Sequence, residues 1–207
     1  MKPASTNAGG RRSPMEMSSL SSDYLRGRRS VVIAGTAVLS SAVAVLELTR
    51  YLRIPFPLFP TLKFDVMGIP MVLAYFLFGL VPGISTSLVS FAIIASRDPF
   101  SGAMKALAES ATILGAFLVL RGKNPSTSYL RKIIAIFSSV TLRVVVMSVA
   151  NVLFLPVYMG RYYANAEAVM PVLGLIAAFN AAQGAISIVG SLFIYEAIAR
   201  RIPSLRH

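Results

Sequence analysis

Apolar residues fill this chain in long blocks, and the polar positions gather between them. The first block, "SVVIAGTAVLSSAVAVLELTRY", starts at Ser30 and supplies about 20 residues, enough for about 30 Å of helix and one bilayer crossing. The stretch "RYLRIPFPLFPTLKFD" follows, and Pro55, Pro57 and Pro60 keep it from being helical. Residues 66–96 form a long apolar run broken by "GLVPG". Pro82 and Gly83 between two apolar arms predict a tight helical hairpin, with each arm short for a span. Further segments are predicted over about 102–120, 132–157 and 169–199, separated by the polar stretches "RGKNPSTSYLRK" and "GRYYANAEA". The pattern predicts an all-α integral membrane protein with six transmembrane helices in one substrate-binding-sized domain, residues 31–201. Residues 1–30, rich in Ser, Gly and Arg and without an apolar period, are expected to be a disordered basic tail; 202–207 would be a short C-terminal tail. A cleaved signal peptide is not expected, because the polar lead is long and the apolar block after it spans a bilayer.

Composition agrees with that reading. The chain is 56% hydrophobic and 14% charged, where a soluble domain carries about a quarter charged residues. Its mean hydropathy is +0.71. A net charge of +12 raises nucleic acid as a partner, but the basic residues sit in the flanks and one internal loop, where topology and anionic headgroups require them. The N-terminal tail, the 121–132 loop and the C-terminus together hold thirteen Lys and Arg. The opposite side holds five: Arg50, Arg53, Lys63, Arg97 and Arg161. Positive-inside counting therefore places both termini in the cytoplasm and "PFPLFPTLKFD" outside. With no Cys and a single His at position 207, disulfides and thiolate or histidine metal sites are excluded. No Gly-Lys-Ser/Thr phosphate loop is present, so ATP is not handled by this chain.

Three charges fall inside predicted spans: Lys105, Glu109 and Arg143. Each costs about 2.5–3.5 kcal/mol at bilayer depth, so each needs a partner, a wet cavity or a nearby interface. Lys105 and Glu109 are four residues apart and share a helix face, which suits either a local ion pair or a ligand site. They map towards the outer half of their helix, whereas Arg143, about eleven residues into its span, lies deeper. Glu47, near the end of the first helix, is expected at the interface. The intramembrane amides Asn151, Asn180 and Gln183 offer donors and acceptors together, which fits a polar heterocycle better than an ion; plain interhelical hydrogen bonding is the alternative. On the first helix Ala34, Ala37, Ser41 and Ala44 form a small-residue seam, for packing within the protein or for docking a separate membrane subunit.

Four stretches, "FPTLKFDVMGIPMVLAYFLFGLVPGI", "DPFSGAMKALAESA", "NVLFLPVY" and "FNAAQGAISIVGSLFIYEAIARRI", resemble in order and spacing the S components of energy-coupling factor (ECF) transporters, and most of all their riboflavin-binding branch. The resemblance covers about residues 31–201. It implies a six-helix protein of a prokaryotic plasma membrane, not an enzyme, which captures a vitamin from outside and carries no cofactor. It also implies partners: a transmembrane coupling subunit and two cytoplasmic ATPases. The seam of Ala34, Ala37, Ser41 and Ala44 would contact that coupling subunit. Asn151 and Asn180 match family asparagines that would hydrogen-bond the ligand's ring system, and Leu62, Phe64, Asp65 and Met67 would line or lid the pocket. Three positions depart from the riboflavin pattern: Gln183 stands at a lysine, Gly68 at an acid and Lys105 at an asparagine. Lys105 would then restore the missing lysine's charge from a neighbouring helix, with Glu109 holding it in place. The departures keep other vitamins or precursors open as ligands, among them thiamine, a pyridoxine-like compound or a queuosine precursor. A rival class is a membrane enzyme that uses Lys105, Glu109 and Arg143 on a lipid. Another is a purely structural subunit, in which Asn151 and Asn180 would enclose no cavity.

Overall fold

The computed structural model describes residues 14–49, 53–121 and 128–201. Its elements run α1 (Pro14–Thr49), β1 (Ile54–Phe56), β2 (Phe59–Phe64), α2 (Gly68–Phe78), α3 (Leu80–Ala95), α4 (Pro99–Leu120), α5 (Tyr129–Tyr158) and α6 (Ala166–Arg201). Among the described residues four helices are long and apolar enough to cross a membrane: α4, α5, α6 and the Arg29–Thr49 part of α1. The expected boundary between tail and span, at residues 30 and 31, falls inside α1; residues 1–13 and 202–207 lie outside the described residues.

The two arms after the proline-rich stretch are helices of 11 and 16 residues, about 16 and 24 Å long, short of a 30 Å hydrocarbon core. A turn does separate them, but at Gly79 and not at Pro82–Gly83. Gly79 has φ 100°, a conformation that favours glycine, and serves both as the end of α2 and the start of α3. Pro82 then lies in the first turn of α3, where its missing N–H leaves no intrahelical bond unmade. The turn is sharp: a Cβ on Gly83 would stand 2.7 Å from Tyr75 Cβ, although eight residues of straight helix rise about 12 Å.

Short as it is, α2 forms the centre of the fold. Gly68 and every residue from Pro70 to Tyr75 are buried, because α1, α3, α4 and α6 all pack against it. A helix apolar all round requires such surroundings. Its Met71, Val72 and Tyr75 join Val43 of α1, Ile113 and Leu120 of α4, and Ile188 and Leu192 of α6 in the main core. By contrast, only 11% of the apolar stretch of α1 is buried.

The proline-rich stretch, expected as a loop, is a two-stranded antiparallel hairpin, with Phe56 opposite Phe59 and Pro55 opposite Lys63. In a two-stranded sheet each strand is an edge, so a proline can stand where no ladder bond is required. Phe56 and Phe64 of this hairpin meet Phe179 of α6 at 5.9 and 5.0 Å between ring centroids, which fastens the hairpin to the bundle.

Candidate functional site

Beneath the hairpin lies a cavity of about 510 Å³, bounded by β2 and the ends or middles of α1, α3, α4, α5 and α6. Of the residues expected at a ligand site, Leu62, Asp65, Met67, Lys105, Asn151, Asn180 and Gln183 line it. Phe64 does not; it supports the wall through Phe179, which does. Glu109 sits behind the lining, fully buried. A cavity bordered by both asparagines disagrees with the purely structural reading.

The inner part of the cavity is held by a chain of charges from α4, α5 and the connection between β2 and α2. Lys105 Nζ of α4 donates to both carboxylate oxygens of Asp65, each at 2.8 Å. It also lies 3.2 Å from Glu109 Oε1, one helical turn away. Arg143 Nη1 of α5 approaches the same Glu109 oxygen at 2.9 Å and donates to Thr112 Oγ1 at 3.2 Å. Its Nε donates to Asn180 Oδ1 of α6 at 3.4 Å. The two cations and two carboxylates balance one another. The expected difference in depth between Glu109 and Arg143 is corrected: each lies near the middle of its own helix, so the two meet directly.

Asp65 belongs to the cavity wall and does more than anchor a surface loop. Besides pairing with Lys105, its backbone is clamped by the Gln183 amide: Asp65 N donates to Gln183 Oε1 at 3.1 Å, and Gln183 Nε2 donates to Asp65 O at 2.8 Å. Gln183 thereby fixes the junction of hairpin and α2 to α6. Asn180 and Asn151 each use Nδ2 on their own helix, at Ile176 O (2.9 Å) and Met147 O (2.7 Å). That leaves Asn151 Oδ1 as an acceptor towards the cavity.

Gly68 makes this arrangement possible. A Cβ at Gly68 would stand 2.5 Å from Glu109 Oε2 and closer still to Ser187 Oγ. The space that a side chain at position 68 would occupy is thus filled by the carboxylate of Glu109, delivered from α4.

Glu47, expected at the interface from its place near a helix end, is 1% exposed. It is paired with both Arg53, at the start of the hairpin, and Arg97, before α4, and it borders the cavity. Residues near the mouth that sequence reasoning had passed over include Asp98, Phe100, Ser101 and Tyr158. Asp98 caps α4, accepting from Phe100 N at 3.1 Å and Ser101 N at 3.3 Å, with Pro99 as the first helical residue. The Ser101 hydroxyl also donates to it, and Tyr158 Oη does so at 2.7 Å while its ring stacks on Phe100 at 4.0 Å. The "DPFS" pattern of cap and N1 proline was the available signal for the cap; the Tyr158 link was not readable. These bonds, that from the Ser101 side chain foremost, hold the Asp98 carboxyl below the usual carboxylate range. A depressed acid stabilises the fold above its unfolded pKa of about 3.9 and loses that contribution as pH falls through the lower folded value. Asp98→Ala is expected to cost about 1 kcal/mol at neutral pH. The difference in melting temperature between the two proteins should shrink below about pH 4; an unchanged difference there would show that the charge is not involved.

The small-residue seam is not used inside the protein. Ala34, Ala37 and Ser41 are exposed and Ala44 is partly so, while α1 packs through Val43, Gly35 against Phe78, and Ser40 near Thr86.

No family model and no curated protein matches the chain. Among solved structures it is similar to the S component of a bacterial ECF transporter, with a TM-score of 0.70 and 23% sequence identity over 84% of this chain and 98% of that one. A likeness of that depth concerns the fold: the hairpin, the buried α2 and the cavity beneath them are set in an architecture shared with an ECF S component.

Proposed function

We propose that this protein is a substrate-capture subunit of an ECF-type importer, which takes a vitamin-sized heterocycle into the cavity under the hairpin. Riboflavin or a related flavin is the first candidate. The observation that carries the reading is the cavity itself. It has about 510 Å³ of space, within the range of about 300–1,000 Å³ typical of small-molecule sites. A few converging polar groups are set among Met, Leu, Ile and Phe side chains. In this reading the hairpin faces outward and the termini lie in the cytoplasm, in keeping with the basic residues. The short α2 and α3 then complete six crossings within the bundle. Ala34, Ala37, Ser41 and Ala44 lie open for a transmembrane coupling subunit, and ATP is hydrolysed by separate subunits.

Purified protein titrated with riboflavin tests this. Quenching of riboflavin fluorescence at nanomolar to micromolar ligand, or a yellow preparation, is the expected result. Colourless protein that leaves the fluorescence untouched would remove the flavin assignment. Failure of thiamine and other vitamins to raise the melting temperature as well would remove the capture role.

A further inference from the structure

The inner end of the cavity carries an arginine, Arg143, whose hydrogen bonds are incompletely used. Lys105 has three N–H groups and three carboxylate oxygens within 3.2 Å: both of Asp65 and one of Glu109. It is saturated. Arg143 has five donors in a fixed fork. Nη1 donates to Thr112 and faces Glu109 as an ion pair, and Nε donates to Asn180. Nη2, with two N–H groups, has no partner among the described residues. Yet Nη2 is not among the enclosed side-chain atoms left without a partner, and Arg143, 2% exposed, lines the cavity. Its small remaining exposure is therefore to the cavity. Gly184 opposite gives the side chain room to lie flat: a Cβ there would stand 2.9 Å from Arg143 Cδ.

We infer that Arg143 selects the ligand, presenting the two Nη2 donors to a neutral carbonyl-type acceptor, such as a lactam or imide oxygen, at the ligand's inner end. The inference deepens the capture reading and rests on it. Charge decides the class of acceptor. Lys105 and Arg143 are already balanced by Asp65 and Glu109. A carboxylate ligand would leave the buried floor with excess negative charge, and a cationic ligand would meet the open edge of a guanidinium. A neutral carbonyl takes the donors and adds no charge. Glu109 and Thr112 act as positioning residues, since they fix the guanidinium by its other edge. Asn151 Oδ1 remains for an N–H on the same ligand.

The test uses the full-length protein in detergent with three probes: neutral, carbonyl-bearing riboflavin; cationic thiamine; and the carboxylate nicotinate. Arg143→Lys keeps a cation for Glu109 but removes the fork. It is expected to weaken riboflavin binding roughly tenfold to hundredfold, the worth of a hydrogen bond to a charged donor. Wild type should also discriminate against a riboflavin analogue with its ring carbonyls replaced by thiocarbonyls, and Arg143→Lys should discriminate much less. Should Arg143→Lys not fold, the same comparison is made with Glu109→Gln/Arg143→Gln, which removes both charges of the pair. Riboflavin binding within twofold of wild type in the variant that folds overturns the inference. So does tighter binding of thiamine or nicotinate than of riboflavin by wild type, although the capture role then stands. If wild type binds none of the three probes, the capture reading falls for these vitamin classes and the inference falls with it.

Discussion

Glu109→Gln should destabilise the protein by about 3–5 kcal/mol, the usual cost of breaking a buried ion pair from one side. Glu109 is fully buried and Arg143 is 2% exposed. The carboxylate is the acidic partner of Arg143 at 2.9 Å. Lys105 would keep Asp65 at 2.8 Å, so the loss falls on Arg143, whose guanidinium cannot shed its proton. The double variant Glu109→Gln/Arg143→Gln should recover more than half of the loss, because no buried charge is then left alone. Thermal unfolding of the three proteins in one detergent checks this. If the double variant is as damaged as the single one, the pair is not what the mutation breaks.

Gly68→Asp is expected to be nearly as damaging, at about 3 kcal/mol or more, from overpacking joined to a second buried carboxylate. The new Cβ would meet Glu109 Oε2 at 2.5 Å and press on Ser187 Oγ, and its carboxylate would enter beside one already in place. Neither neighbour can swing into solvent, for both are buried. Adding Glu109→Ala clears that space and leaves a single acid near Arg143, so the pair of changes should couple favourably by about 1–3 kcal/mol. A Gly68→Asp protein that melts within a degree or two of wild type would show that the contact is slack. The same compensation explains why position 68 is a glycine in this chain: the acid of this corner comes from α4.

Hydropathy alone located α4, α5, α6 and the apolar part of α1, since a bilayer acts on each stretch of chain separately and a 20-residue apolar run has few other uses. It also identified the amides and charges that a membrane does not tolerate without partners, among them Lys105, Arg143, Asn151, Asn180 and Gln183 of the cavity wall. The short pattern of resemblance led to the same fold that the solved S component shows. The hairpin was missed because prolines exclude helix without declaring strand, and a two-stranded sheet has too few positions for alternation to be read. The turn between α2 and α3 was placed three residues late, as Pro82 suits a helix start as well as a break.

The partnerships of the site were another matter. Asp65 meets Lys105 across 40 positions of chain and Gln183 across 118; Arg143 meets Thr112 across 31 and Asn180 across 37. Such contacts depend on how far each helix is rotated and how closely it approaches its neighbours, and those quantities are set by the whole packed bundle. Gly68 and Gly184 read alike in the sequence as small residues; in three dimensions one makes room for Glu109 and the other for Arg143. Local chemistry along the chain thus named the residues with something to bind, because burial in lipid makes every polar group conspicuous. Which of them satisfy one another, and that Arg143 Nη2 is left without a partner among the described residues, followed from tertiary packing, because hydrogen bonds are won by distance and direction in space.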